Sequence, residues 1–216
     1  MRYIIMCGGK YRKWEKPRHL TKIHGEAVVA RTIRLLNEEG VNDIAISSND
    51  PAFEGLGVPV LHHRNWYIAN GMRDVRGNWF DAFFPTDYPV CYLFGDVVFS
   101  PAAIKTIVET DTDDIELFGS APPFAEEYPK DHIEPFALKV ARPDHLKEAI
   151  ERTKALDAAG AFWRKPIMWE LWTVIKGQPL QTGPGQYDYS SYININDYTC
   201  DIDRKRDIKL FEGMDI

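Results

Sequence analysis

Tyr3-Ile4-Ile5-Met6-Cys7-Gly8-Gly9 is the stretch on which the fold turns. A short unbroken apolar run stopped by a glycine pair is the pattern of a strand buried on both faces, as in a parallel sheet covered by helices on each side. Working outward, residues Ala27 to Glu39 place Val28, Val29, Ile33, Leu35 and Leu36 at helical spacing, and Gly40 follows as a stop signal. Asp43 to Ser47 reads as the next strand, so the chain opens with a strand-helix-strand crossover of the right-handed kind. Val58 to Leu61, Val90 to Phe94, Ile115 to Ser120, Pro135 to Val140 and Tyr192 to Ile195 are further expected strands. Helices are expected over Arg73 to Phe84, Pro101 to Glu109 and Pro143 to Leu156, and the aromatic stretch Phe162 to Val174 is helical only around the break that Pro166 imposes. At 216 residues and 44% hydrophobic content there is enough apolar surface for one sizeable core and no segment that separates two. The expectation is a single α/β domain over residues 1–216: a mixed, mostly parallel sheet flanked by helices, Rossmann-like in kind.

Charge narrows the function. A formal net charge of -6 offers no general attraction to nucleic acid or an anionic membrane, so a phosphate site has to be built from a local concentration of cations. Cys7, Cys91 and Cys200 are odd in number and lack the close spacings of zinc or redox motifs, which suits a reducing compartment. The apolar start is too brief for a signal peptide, and no 18-residue apolar run occurs, so a cytoplasmic protein without membrane or nucleic-acid partners is expected.

The concentration of cations lies directly after the first strand. Lys10, Arg12, Lys13, Lys16, Arg18 and Lys22 stand against the single Glu15, following Cys7-Gly8-Gly9. Glycines at a strand end let backbone N–H groups approach a phosphate, and the cations neutralise a triphosphate and the charge that grows on departing pyrophosphate. A solvated charged loop has the same composition, and position after the strand favours the phosphate reading. A second candidate is Tyr92-Leu93-Phe94-Gly95-Asp96, a buried strand that delivers one carboxylate at its C-terminal end, where ligands of open α/β sheets gather. Mg²⁺ commonly takes one or two carboxylates plus substrate phosphates, which Asp96 suits. Its bland alternative, capping the next helix, is a role that Ser100 fills equally well ahead of Pro101.

Ile5-Met6-Cys7-Gly8-Gly9, the basic loop, Lys16-Pro17-Arg18-His19-Leu20, Ile23-His24-Gly25-Glu26 and Gly40-Val41-Asn42-Asp43-Ile44, in that order, resemble the opening of the sugar-phosphate nucleotidyltransferase superfamily. Two positions depart from its pattern: Tyr11 stands where a second loop glycine is usual, and Arg18 where a lysine follows the proline. Arginine keeps the charge and changes the hydrogen-bond geometry. The resemblance implies an NTP site formed by Cys7, Gly8, Gly9 and Lys10, with Asn70 and Gly71 at the base or ribose, and catalytic cations Arg12, Lys16 and Arg18. It also implies Mg²⁺ on Asp96 and a later carboxylate in Cys200-Asp201-Ile202-Asp203. Asp203 fits the family spacing better than Asp201, which alternation places on the same side. Asp207 then reads as a helix N-terminal residue.

The implied reaction is transfer of a nucleoside monophosphate from an NTP to a small phosphorylated acceptor, a sugar phosphate or a phosphocholine-like molecule, with release of pyrophosphate. Trp169 and Glu170 are the candidate acceptor residues, in a place comparable to an aromatic-acid feature of choline-phosphate cytidylyltransferases; Glu170 would pair a cationic group and the tryptophans pack its methyls. Core packing is the competing explanation for tryptophans at helical spacing. Two other classes stay open: a glycosyltransferase, which normally presents Asp-x-Asp where this middle strand offers only Asp96, and a nucleotide-binding homologue without catalysis, which Tyr11 and Arg18 suggest. No Gly-x-Ser-x-Gly elbow or P-loop ending is present.

Overall fold

The computed structural model describes residues 1–8, 14, 16–63, 79–124, 132–183 and 187–216. Its centre is a seven-stranded sheet. In chain order the strands and helices are β1 (Arg2–Met6), β2 (Lys22–Ile23), β3 (Glu26–Ala27), α1 (Val28–Glu38), β4 (Ile44–Ser47), β5 (Val60–Leu61), β6 (Val90–Phe94), β7 (Val97–Val98) and α2 (Pro101–Glu109). They continue as β8 (Ile115–Ser120), β9 (Glu134–Val140), α3 (Pro143–Ala158), α4 (Met168–Ile175), β10 (Ile193–Asn194), β11 (Cys200–Asp201) and α5 (Lys205–Glu212). Across the sheet the order is β10-β8-β9-β6-β1-β4-β5. β1 lies between β4 and β6, parallel to both, with Ile5 opposite Ile46 and Leu93. β9 alone runs antiparallel to its neighbours β6 and β8, so the sheet is mixed and mostly parallel, as the sequence pattern indicates.

Alternation along β1 shows why its apolar run is unbroken. Tyr3, Ile5 and Cys7 join one core with Val29, Ile33 and Leu36 of α1 and Ile104 and Ile107 of α2, whereas Ile4 and Met6 join another with Leu146 of α3 and Met168, Leu171 and Trp172 of α4. Each face therefore needs its own apolar residues, because helices cover both. Every residue of α4 is buried, including Glu170, and a helix that is mostly apolar all round belongs inside a molecule. A third, smaller cluster seats α5 through Phe211 on Ile23, Val28, Val98 and Ile202.

Local signals agree closely with the observed ends. α1 stops before Gly40, whose φ of 78° is the left-handed conformation that favours glycine. α2 begins at Pro101 with Ser100 Oγ accepting from the Ala103 N–H at 2.9 Å, so Ser100 is the cap and Asp96 is left for other work. Asp207 accepts from the N–H groups of Asp203 (3.0 Å) and Arg204 (2.6 Å) at the start of α5. Two expectations shorten: β5 is Val60–Leu61 rather than beginning at Val58, and of the helix expected over residues 73–84 the described part is a 3-10 turn at Trp79–Ala82. The rest of that helix, residues 73–78, lies outside the described residues. Pro166 does exclude the preceding turn from α4, which starts at Met168. Among the described residues no helix is long and apolar enough to cross a membrane.

Candidate active site

The C-terminal ends of β1 and β6 lie side by side, and the residues that follow them build the site. Gly95 donates its N–H to the carbonyl of Met6 at 3.0 Å. A Cβ at Gly95 would stand 2.6 Å from that same carbonyl oxygen and 2.5 Å from Cys7 Sγ, closer than real Cβ atoms come. Glycine is thus required for the two strand ends to touch, and that contact is what brings Asp96 beside the loop leaving β1.

Asp96 is paired with Arg18, whose Nη1 also donates to Asp203 Oδ1 at 2.6 Å and to the carbonyl of Ile202 at 3.2 Å. One guanidinium therefore links the end of β6 to the segment after β11, residues about a hundred positions apart in sequence. The link has a backbone counterpart, the Ile202 N–H donating to the Asp96 carbonyl at 2.9 Å, and β11 pairs antiparallel with β7 through Asp201 and Val97. Arg18 Nε is buried without a partner among the described residues.

Arg18 and Asp96 face a cavity of about 390 Å³ lined also by Phe94, Glu134, Trp169 and Asp201 together with His132, Arg164 and Tyr187. Burial, reinforced by Glu134, Asp96 and Asp203 and opposed by Arg18, pushes the Asp201 carboxyl up to about 8. Burial likewise raises Glu134, against the pull of His132, whose Nε2 lies 2.6 Å from Glu134 Oε1. Carboxylates crowded in this way repel one another, and a cation placed among them relieves the repulsion. A larger cavity of about 580 Å³, walled by Phe80, Phe83, Phe84, Tyr92 and Leu146, contains none of the residues singled out by sequence.

The candidates from sequence fall into distinct groups. Arg18, Asp96 and Asp203 meet directly, and Trp169 lines the same cavity. Asp201 is in the cavity wall, while the Asp203 side chain is 57% exposed. Lys16 is exposed and Gly8 half-buried at the end of β1. Gly9, Lys10, Arg12, Asn70 and Gly71 lie outside the described residues, as does Tyr11. Cys7, expected as a nucleotide contact, has its backbone engaged in the fold. Its N–H donates to the Ser47 carbonyl at 2.9 Å, its carbonyl accepts from Ser48 Oγ at 3.0 Å, and its thiol is buried and pushed well up by that burial. Those bonds fix the start of the loop that leaves β1.

Glu170 also differs from its expected role. It is 2% exposed; Oε1 accepts from Arg164 Nε at 2.6 Å and from Tyr187 Oη at 3.1 Å, and Oε2 accepts from the Ile167 N–H at 2.9 Å. The cation that Glu170 meets is the chain's own Arg164, so both of its oxygens are already engaged within the chain. Trp169, 3% exposed, contributes one edge to the cavity and packs against Tyr187 and Tyr192, so the core and pocket readings both hold for it. Arg164, Tyr187, His132 and Glu134 are cavity residues that sequence reasoning missed. A signal for the first existed: an arginine shortly ahead of a mostly apolar helix whose third position is the lone acid Glu170.

The family of MobA-like NTP transferase domains matches residues 3–160. No curated protein matches at a significant level. Among solved structures the fold is similar to a protein assigned as a glucose-1-phosphate thymidylyltransferase from Bacillus anthracis, crystallised with sucrose (14% identity, 100% of this chain and 96% of that one, TM-score 0.58). It is also similar to 2-C-methyl-D-erythritol 4-phosphate cytidylyltransferase from Thermus thermophilus (11% identity, 99% and 97%, TM-score 0.56). A third is the inositol-1-phosphate CTP transferase from T. maritima (15% identity, 97% and 94%, TM-score 0.54). At such identities the structural likeness establishes the fold, and the family match over more than two thirds of the sequence establishes membership: the chain belongs to the MobA-like NTP transferase family.

Proposed function

We propose that the chain transfers a nucleoside monophosphate from an NTP to a small phosphorylated acceptor of the sugar-phosphate class and releases pyrophosphate. The observation that carries this reading is the single cavity lined by Arg18 after β1, Asp96 after β6, Asp201 of β11 and Trp169 of α4. The acceptor phosphate is already ionised near neutral pH, so it attacks the α-phosphorus without a general base, and the protein's task is to hold donor and acceptor in line. Asp96 ends a strand and is fixed by Arg18 and by its carbonyl's bond to Ile202, so its carboxylate keeps one position. Lys16, with Lys10 and Arg12 of the same basic stretch, carries charge for the triphosphate, and Arg18 holds Asp96 and Asp203 beside it.

Mg²⁺ belongs to this proposal. Among the described residues no three His, Cys, Asp or Glu side chains converge to hold an ion unaided. Two carboxylates suffice for Mg²⁺, which completes its shell with water and phosphate oxygens. Asp96 and Asp203 would hold it, beside an Asp201 that burial, reinforced by the neighbouring carboxylates, makes reluctant to ionise. When bound, the ion neutralises phosphate oxygens and steadies the leaving pyrophosphate.

Pyrophosphate release, followed with each of the four NTPs against a panel of sugar phosphates while Mg²⁺ is varied, tests the reading. Metal-dependent release that Asp96→Asn and Asp203→Asn each largely abolish, without additivity in the double variant, is the expected result. Sugar transfer from a nucleotide-sugar donor with no pyrophosphate formed from any NTP would overturn it.

A further inference from the structure

Arg164 is a guanidinium of the cavity lining whose end edge is not taken by any described residue. Its Nε donates to Glu170 Oε1 at 2.6 Å and its Nη2 to Tyr187 Oη at 2.5 Å, while Tyr187 Oη donates in turn to Glu170 Oε1 at 3.1 Å. Those bonds use the side edge of the planar group. The end edge, formed by Nη1 and the second hydrogen of Nη2, has no acceptor among the described residues, and it belongs to a side chain 33% exposed and lining the cavity. The guanidinium is held in place from other directions as well, lying over the rings of Trp163 at 5.1 Å and Tyr187 at 5.9 Å. Arg18, the other guanidinium of the cavity, spends both Nη atoms on Asp96, Asp203 and the Ile202 carbonyl.

The remaining charged side chains of the lining, apart from Arg18, Arg164 and His132, are the carboxylates of Asp96, Glu134 and Asp201. An anion entering among these acids is drawn to an arginine with N–H groups to spare. Two parallel N–H groups match two oxygens of a phosphate or carboxylate, and such charge-assisted bidentate pairs are the strong ones. We infer that Arg164 anchors an oxyanion of the acceptor through its end edge, with Glu170 and Tyr187 as positioning residues that hold the guanidinium plane. The inference rests on the proposed acceptor chemistry and refines it: the acceptor is recognised at this wall by negative charge, not by a cationic headgroup.

Calorimetric titration of the whole chain with glucose 1-phosphate, glucuronate and uncharged glucose supplies the test, with NTP affinity measured alongside. Arg164→Ala alone would orphan the buried Glu170 charge, so the informative variants are Arg164→Lys, Tyr187→Phe and the double change Arg164→Met with Glu170→Gln, each checked for a native melting transition. The expected result is that an anionic probe binds and glucose does not. Its affinity then falls roughly 10- to 100-fold in the double variant and less in Arg164→Lys, with NTP affinity unchanged. Preference for glucuronate over glucose 1-phosphate would identify a carboxylate as the anion and keep the anchor while removing the phosphorylated acceptor. Arg164-dependent anion binding without pyrophosphate release from any NTP would likewise keep the anchor and overturn nucleotidyl transfer. Equal affinity in folded variants and wild type, or no anion binding to wild type, overturns the anchor itself.

Discussion

Gly95→Ala changes one hydrogen into a methyl group at the point where the two central strands deliver the site. The added Cβ would meet the Met6 carbonyl oxygen at 2.6 Å, Cys7 Sγ at 2.5 Å and His19 Cδ2 at 3.0 Å. None of the three can yield cheaply. The carbonyl already accepts the Gly95 N–H at 3.0 Å, the Cys7 thiol is 1% exposed and His19 is 3% exposed, wedged edge-on to Phe53. Forcing the strand ends apart costs about 1–3 kcal/mol in overpacking and about 1 kcal/mol for the weakened backbone bond, roughly 2–4 kcal/mol in all. For a chain of this size that is a fall in melting temperature of roughly 5–15 °C. Asp96 is the next residue, so a displacement on the order of 1 Å reaches its carboxylate, enough to cost roughly 100-fold in turnover. Thermal melts and urea titrations read the first effect, and pyrophosphate release from the folded fraction reads the second. A variant that melts within about 1 °C of wild type and keeps its turnover would refute the claim that the bare backbone at residue 95 sets the site.

Lys139 and His19 yield two further expectations. Lys139, 5% exposed in β9, donates to the carbonyls of Ile107 (3.0 Å), Val108 (3.0 Å) and Thr110 (2.5 Å) at the end of α2, so Lys139→Met should lose about 1–3 kcal/mol in urea titration, and an unchanged midpoint would show those carbonyls find other partners. Burial lowers His19 from 6.5 to about 4, with the Arg18 charge in the same direction and Asp96 opposing. Between those two values the unfolded chain binds the extra proton, so the folded state loses up to about 3 kcal/mol as pH falls from 6.5 toward 4 and is unaffected by this group above that window. His19→Gln should flatten that slope in stability measured at pH 5 and pH 7, and an identical slope would mean other groups carry it.

Legibility followed range. Tyr3–Met6, α1 with its Gly40 stop, and the Ser100-Pro101 start of α2 were all written in local pattern, because burial on two faces, helix stops and caps are decided within a few residues. The order of strands was not. β9 turns antiparallel between β6 and β8, and nothing inside Glu134–Val140 records which neighbours it will meet or in which direction. The site divides in the same manner. Asp96 announces itself as a carboxylate at the end of a buried strand, whereas the partner of Glu170 is chosen by three-dimensional packing: Arg164 is six positions away on an irregular segment, and Tyr187 comes from beyond the next loop. An acid beside tryptophans reads in one dimension as half of a cation cage. In three it is already filled by the chain's own guanidinium.

That internal pairing changes what kind of selectivity the cavity can have. A buried carboxylate with all its oxygens engaged exerts little pull on a ligand, but it fixes the plane and charge of the group it holds, and the open edge of Arg164 is the result. Arg18 is the contrasting case, a cation divided between Asp96 and Asp203 so that its own charge is largely met before any nucleotide arrives. The cavity thus presents an acidic wall at Asp96, Glu134 and Asp201 and, beside it, Arg164 with an end edge that no described residue takes. A polyanion cannot rest against that acidic wall without cations of its own or of the basic stretch between Lys10 and Lys22, whereas a small singly anchored acceptor can reach Arg164 directly. On the proposed reaction, donor and acceptor would in this way be sorted by charge density before any contact with base or sugar is made.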